Sequence, residues 1–340
     1  MNISTVYKGV LISFILALPA FLLGSFFPII GGPVFGIIIG MIFHSWIVKY
    51  DEWQPGIRFT SSKVLQLAVV LLGFGLNLSV ILETGQESLP IIISTIATSL
   101  IISFFLQKSL AIPEKSAILI GVGSSICGGS AIAATAPVIE ADHREIAQAM
   151  SVIFFFNVLA AVLFPWLGGM IGFDTTSGHA FGVFAGTAIN DTSSVTAAAS
   201  TWDSLHNLGF QTLDNAITVK LTRTLAIIPI TIVLSILQNK KEGKHKKLSI
   251  KSVIPAFILL FIAASIITTI LASFGFHPQF FTTLKSLSKF FIIMAMTAIG
   301  LNTNIVQMIK SGAKPLLLGL CCWIGITAVS LILQHFLGIW

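Results

Sequence analysis

Charge is scarce in this chain: of 340 residues, 9% are Asp, Glu, Lys or Arg, against about 25% in an ordinary soluble domain. So few charges cannot clothe a soluble globule of this length, which excludes a cytosolic enzyme, a disordered chain and a nucleic-acid-binding domain. Cysteine is scarce too. Cys127, Cys321 and Cys322 make an odd number, the last two are adjacent, and no CxxC or Cys/His spacing suits a metal. Neither a disulfide framework nor a metal site is expected. HExxH, GxSxG and a Walker loop are also missing, so the expectation is no enzyme, no cofactor and no ATP-driven pump.

What the chain has instead is apolar sequence, 55% hydrophobic with a mean hydropathy of +0.96. A bilayer-crossing helix needs roughly 20 mostly apolar residues. Such segments run at about 7–27, 30–48, 63–82, 90–111, 116–139, 146–168, 178–200, 213–237, 252–272, 288–309 and 315–339. The reading is an all-α polytopic membrane protein of about 9–11 transmembrane segments. It forms one domain over 1–340, with repeat-like halves at about 28–168 and 178–340. The first segment lacks a small-x-small cleavage site and reads as a retained span.

The net charge of +6 is a matter of position. Six of nineteen basic residues (Lys240, Lys241, Lys244, Lys246, Lys247, Lys251) fall in the loop at 238–252, as expected for a cytoplasmic loop under the positive-inside rule. Alternation then places Lys8 and the N-terminus, Lys49, Arg58, Lys63, Lys310 and Lys314 inside. Glu83 and Glu87, in a loop without a base, fall outside with the C-terminal Trp340. Lys285 and Lys289 dissent, at the edge of a span.

Two repeats are legible. Leu72–Gly73–Phe74–Gly75–Leu76–Asn77–Leu78 resembles Thr297–Ala298–Ile299–Gly300–Leu301–Asn302–Thr303, and Pro90 aligns with Pro315 at the same offset of 225. An even number of crossings separates the copies, so they run in opposite directions, as inverted repeats of secondary transporters do. Ile126–Cys127–Gly128–Gly129–Ser130–Ala131 resembles Ile189–Asn190–Asp191–Thr192–Ser193–Ser194. Residues this small suit close packing or broken helices lining a cavity, and a re-entrant course is favoured for both segments. One small-residue segment follows its Gly-Leu-Asn span and the other precedes it, so the repeat order is permuted.

Lys220 and Arg223 are the leading candidates for chemistry. Three apart on one helix, they share a face, and a cation at the bilayer centre is costly enough to demand a reason. They either snorkel to the headgroups, or face inward to grip an oxyanion or neutralise Asp191. Asp191 is the one acid in a small-residue segment, either a structural partner of those bases or a site for a proton or cation. Asn190, Thr192, Ser193 and Ser194 add polar groups beside it. Across from them, Ser124, Ser125, Cys127, Gly128, Gly129 and Ser130 offer hydroxyls and backbone. Asn77 and Asn302 cap their spans or contribute to the site. Asn157 reads as an interhelical hydrogen bond. Gly32, Gly36 and Gly40 form a close-packing stripe, with a homodimer interface as one use. His44 and His206 show no partner pattern and are placed near the membrane surface.

At these residues a family comes into view. Gly31–Gly32–Pro33–Val34–Phe35–Gly36, Gly75–Leu76–Asn77–Leu78–Ser79, Ser125–Ile126–Cys127–Gly128–Gly129–Ser130–Ala131–Ile132, Gly186–Thr187–Ala188–Ile189–Asn190–Asp191–Thr192 and the Lys220/Arg223 pair resemble the bacterial YeiH-type membrane proteins. The resemblance spans essentially the whole chain. That family is described as sulfate exporters and grouped with bile-acid/sodium-symporter-like transporters. It implies a multi-pass transporter of the bacterial cytoplasmic membrane, with sulfate as lead substrate.

Three functions follow as expectations. The first is a secondary transporter of a small anion: sulfate, a sulfonate or a carboxylate. The second is an exchanger coupled to H+ or Na+ with Asp191 as ion site. The third, a non-transporting scaffold or sensor, predicts no solute flux.

Overall fold

In hydrocarbon every backbone N–H and C=O must be satisfied within its own segment, so an apolar chain of this kind folds as helices. The computed structural model describes residues 3–27, 32–47, 49–74, 78–242, 256–274, 279–303 and 312–340, and no strand occurs among them. Asn77, Gly75, Leu76, Lys310 and the bases Lys244, Lys246, Lys247 and Lys251 lie outside the described residues.

Among the described residues, seven helical stretches are long and apolar enough to cross a membrane, and two shorter apolar helices and two broken helices accompany them. The order is α1 (Ile3–Phe26), α2 (Gly32–Ile47), α3 (Gln54–Phe59), α4 (Leu65–Gly73), α5 (Leu78–Leu110), α6 (Glu114–Ser125), α7 (Gly129–Thr135), α8 (His143–Ile171), α9 (His179–Ala188), α10 (Thr192–His206), α11 (Gln211–Thr224), α12 (Ile227–Glu242), α13 (Ala256–Ser273), α14 (Gln279–Asn302) and α15 (Ala313–Phe336). A 3-10 turn (Asp51–Trp53) precedes α3, and a π turn (Thr60–Val64) joins it to α4. Phe104, Phe105, Ile93, Met170 and Ile324 are exposed large apolar side chains, as lipid-facing positions require.

Several sequence boundaries are corrected. Glu83 and Glu87 do not sit in a loop: α5 begins at Leu78, and Glu87 meets His179 at 3.1 Å. The span expected at 213–237 is present over Gln211–Leu234, but a turn at Leu225–Ala226 interrupts it, where Pro229 cannot donate to the Leu225 carbonyl. Lys240 and Lys241 belong to the last turn of α12 and not to a loop. Lys285 pairs with Asp214 at 2.5 Å and Lys289 donates to the Gly209 carbonyl at 2.8 Å, over the Phe210 ring. The two dissenting bases thus have local partners.

The helices form two bundles. In one, α2 packs on α14 and α13 on α4, with α1 against α2 and α14. In the other, α5 packs on α15, α6 on α8, and α9 on α11. These pairs exchange partners as a permuted inverted repeat would: if α4 corresponds to α14 and α2 to α13, the α2–α14 contact maps onto α13–α4. Likewise α6–α8 maps onto α9–α11. Helix α10 reaches across to touch α2 and α14.

The glycine stripe on α2 is spent inside the chain and does not supply a dimer interface. A Cβ at Gly40 would lie 2.3 Å from the Thr297 carbonyl oxygen, and one at Gly300 equally close to the Ile37 carbonyl oxygen. Backbones this near exclude any side chain. Gly40→Ala should therefore force α2 and α14 apart at a cost of about 1–3 kcal/mol. A thermal unfolding curve of detergent-solubilised protein checks this; an unchanged midpoint would refute the contact.

Candidate functional site

The two small-residue segments are broken helices, and their breaks touch. Helix α6 ends at Ser125 and α7 starts at Gly129; α9 ends at Ala188 and α10 starts at Thr192. Gly128 sits at φ +68°, ψ −123°, a conformation open only to glycine. A Cβ there would lie 3.3 Å from Asp191 Cβ and 3.4 Å from Asn157 Nδ2. Gly128→Ala is accordingly expected to distort both breaks at once; loss of a monodisperse extraction profile would report it, and a normal one would argue against the crossing.

Each break strands carbonyls at the C-terminal end of a half-helix, where the negative end of the dipole also lies. Lys220 and Arg223 supply the missing donors. Lys220 Nζ donates to the carbonyl oxygens of Ile126 (2.6 Å) and Ile189 (3.0 Å), one from each break. Arg223 donates from Nε to Ser125 O (2.8 Å), from one terminal nitrogen to Thr187 O (2.5 Å) and from the other to Ser124 O (2.9 Å). Both side chains are 0% exposed, so neither snorkels. Both leave one face of α11, as their spacing of three required. Among the described residues neither forms an ion pair with Asp191 within 4.0 Å. Their cost of burial is offset by charge-assisted hydrogen bonds to five carbonyls.

Asp191 is the N-cap of α10. Its carboxylate accepts from Ser193 Oγ and from the Ser194 N–H. Asn190 donates its backbone N–H to Asn157 Oδ1 at 3.3 Å, so Asn157 does join helices as expected. Both polar atoms of the Asn190 side chain, and Nδ2 of Asn157, are buried without a hydrogen-bond partner among the described residues.

A cavity of about 310 Å³ opens between the two bundles at the crossing. The first break contributes Cys127, Gly129 and Ser130, and the second contributes Asp191, Thr192 and Ser193. Ser61, Ser62 and Gln66 come from the π turn and α4, and Phe257, Ile299, Met150 and Phe154 supply apolar walls. Among the described residues, Asp191 is the one formally charged residue in this lining. Ser124, Ser125, Gly128, Asn190 and Ser194 lie behind it in the breaks. Lys220 and Arg223 do not line it, and Asn302 is exposed at the end of α14. Reading the sequence missed Ser61, Ser62 and Gln66. The polar run Thr60–Ser61–Ser62–Lys63 at the head of an apolar span is the signal for them, since π turns recur at functional sites.

Comparison with known proteins agrees with a membrane protein. A family model described as conserved hypothetical protein 698 matches residues 8–319. A UPF0324 membrane protein of Streptococcus mutans is 58% identical over 98% of both chains. One from Fusobacterium nucleatum is also 58% identical, over 97% of this chain and 98% of its own. One from Streptococcus pyogenes is 56% identical over 98% and 97% respectively. With a family model along nearly its whole length and relatives this close, the chain belongs to the UPF0324, or YeiH-type, family of bacterial membrane proteins.

Proposed function

We propose that this membrane protein is a secondary transporter whose solute binds in the cavity where the two helix breaks cross. The observation that carries this is the meeting of two broken, repeat-related helices at one polar cavity between two bundles. Broken helices at membrane depth are tolerated where protein buries them or where they line a water-filled cavity, and repeats of opposite sense allow such a cavity to open to either side. The solute class is a small anion, with sulfate, a sulfonate or a carboxylate first. Supporting it, the crossing holds two buried cations against one carboxylate, Asp191, leaving one net positive charge in a medium of low dielectric. The N-terminus of α10 adds the positive end of a helix dipole. The chain would reside in the cytoplasmic membrane with Lys8 inside and Trp340 outside.

A second reading is favoured by one observation. Asp191 is the charged group in the lining, and orphaned amide atoms of Asn190 and Asn157 lie beside it. A proton or Na+ at Asp191 would remove the repulsion an entering anion meets, which makes the coupling ion and the anion partners in one site.

Uptake of labelled sulfate into proteoliposomes tests the assignment, with Ser130→Leu as the informative variant. Leucine there fills the cavity without touching the carbonyl-binding cations, so uptake should fall to background while the unfolding temperature holds. Equal uptake by the variant and the parent would remove the solute from this cavity.

A further inference from the structure

A second cavity, of about 380 Å³, lies where the α5–α6 turn meets the N-termini of α8 and α15. Arg144 and Lys314 line it, and neither forms a hydrogen bond or ion pair among the described residues. Two helices that start here lack a side-chain cap. Helix α6 begins after Pro113, and α15 begins after Gly312 and carries Pro315 in its first turn. Their first-turn N–H groups and dipoles favour an anion. Asp142 and Glu145 also line the cavity, but they cap α8 reciprocally: Glu145 N donates to Asp142 Oδ1 at 2.7 Å and Asp142 N to Glu145 Oε2 at 2.9 Å. That engagement spends part of their negative charge on the helix start.

Ser116 is the independent sign of a ligand. It lines this cavity, it is 1% exposed, and its Oγ has no hydrogen-bond partner among the described residues. A buried hydroxyl without a partner costs about 1–3 kcal/mol, and an oxyanion seated between Arg144 and Lys314 would satisfy it. Arg supplies a planar fork and Lys a point charge, which together suit a tetrahedral phosphate group.

We propose that this cavity binds a phosphate group, on a free anion or on a lipid headgroup, at a site separate from the helix crossing. The full-length protein in neutral detergent is titrated with inorganic phosphate, and in a parallel arm with phosphatidylglycerol in mixed micelles. Unfolding temperature and native mass are followed. Saturable stabilisation is expected in at least one arm, with half-saturation raised about tenfold in the Arg144→Gln/Lys314→Gln variant. Saturation by phosphate alone assigns the free anion; retention of one lipid with no response to phosphate assigns the headgroup. Ser116→Ala breaks no hydrogen bond present in the structure, so it should fold normally and weaken binding several-fold. Lys108→Gln, in the last turn of α5 and outside the cavity, should leave binding unchanged. A response that never saturates overturns the proposal. So does equal binding by the parent and the cavity variants, or a loss in Lys108→Gln as large as theirs.

Discussion

Arg223→Ala is expected to abolish recovery of folded protein. The guanidinium donates to three carbonyls that no helix can satisfy, those of Ser124, Ser125 and Thr187. Each buried carbonyl left without a donor costs about 1–3 kcal/mol, and three at once rival the ~5–15 kcal/mol that holds an ordinary domain together. Fluorescence-detected size exclusion of extracted protein should show the main peak replaced by aggregate. Arg223→Lys should recover part of it, because one ammonium reaches fewer carbonyls than a planar fork across two chain segments. Lys220→Met should behave like a milder version, with two carbonyls orphaned. A monodisperse Arg223→Ala protein of parental stability would mean that the breaks hold themselves open without the cation.

The second large effect is on flux. Asp191→Asn should lower solute uptake by at least about tenfold, the value of 1.4 kcal/mol, while leaving the fold intact. Asparagine caps a helix about as well as aspartate, so α10 keeps its start and the Ser194 N–H keeps an acceptor. What is lost is the one charge in the cavity lining. Asp191→Ala should lose uptake as well and, without a cap, a further ~1 kcal/mol of stability. If anion binding survives in Asp191→Asn while transport stops, the carboxylate is the coupling group. Full uptake by Asp191→Asn would leave Asp191 as a helix cap and nothing more.

Together the two predictions separate roles that the sequence had merged. Lys220, Arg223 and Asp191 looked like one charged cluster, with the bases as ligands or as partners of the acid. In the structure the bases face backward, into the carbonyls of Ile126, Ile189, Ser124, Ser125 and Thr187. Asp191 faces the cavity. Any pull the cations exert on a solute acts through the walls of the site.

Much of this was legible from local pattern. Long apolar runs fix helices in lipid because the backbone has no other partner. The Gly, Ser and Thr of 126–134 and 189–197 mark breaks because they withhold lipid-facing bulk and, at Gly128, allow a backbone angle denied to other residues. The spacing of Lys220 and Arg223 fixed their common face, since a helix repeats every 3.6 residues. Other features were not local. The Gly32–Gly36–Gly40 stripe announces a close neighbour but not which one; the neighbour is α14, more than two hundred residues away. The end of α4 and the start of α5 were misplaced because Glu83 and Glu87 read as a loop, yet a helix end at the membrane surface tolerates them.

The sequence by itself determined that this protein lives in a membrane and marked the two small-residue segments as helix breaks, while leaving open whether Lys220 and Arg223 are buried or snorkel and passing over the buried Asp203. Only the tertiary structure decided what those side chains do. The periodicity of one helix is written in neighbouring residues. The donor for a stranded carbonyl arrives from elsewhere, 94 residues away for Lys220 and Ile126, and that meeting exists only once the helices have crossed.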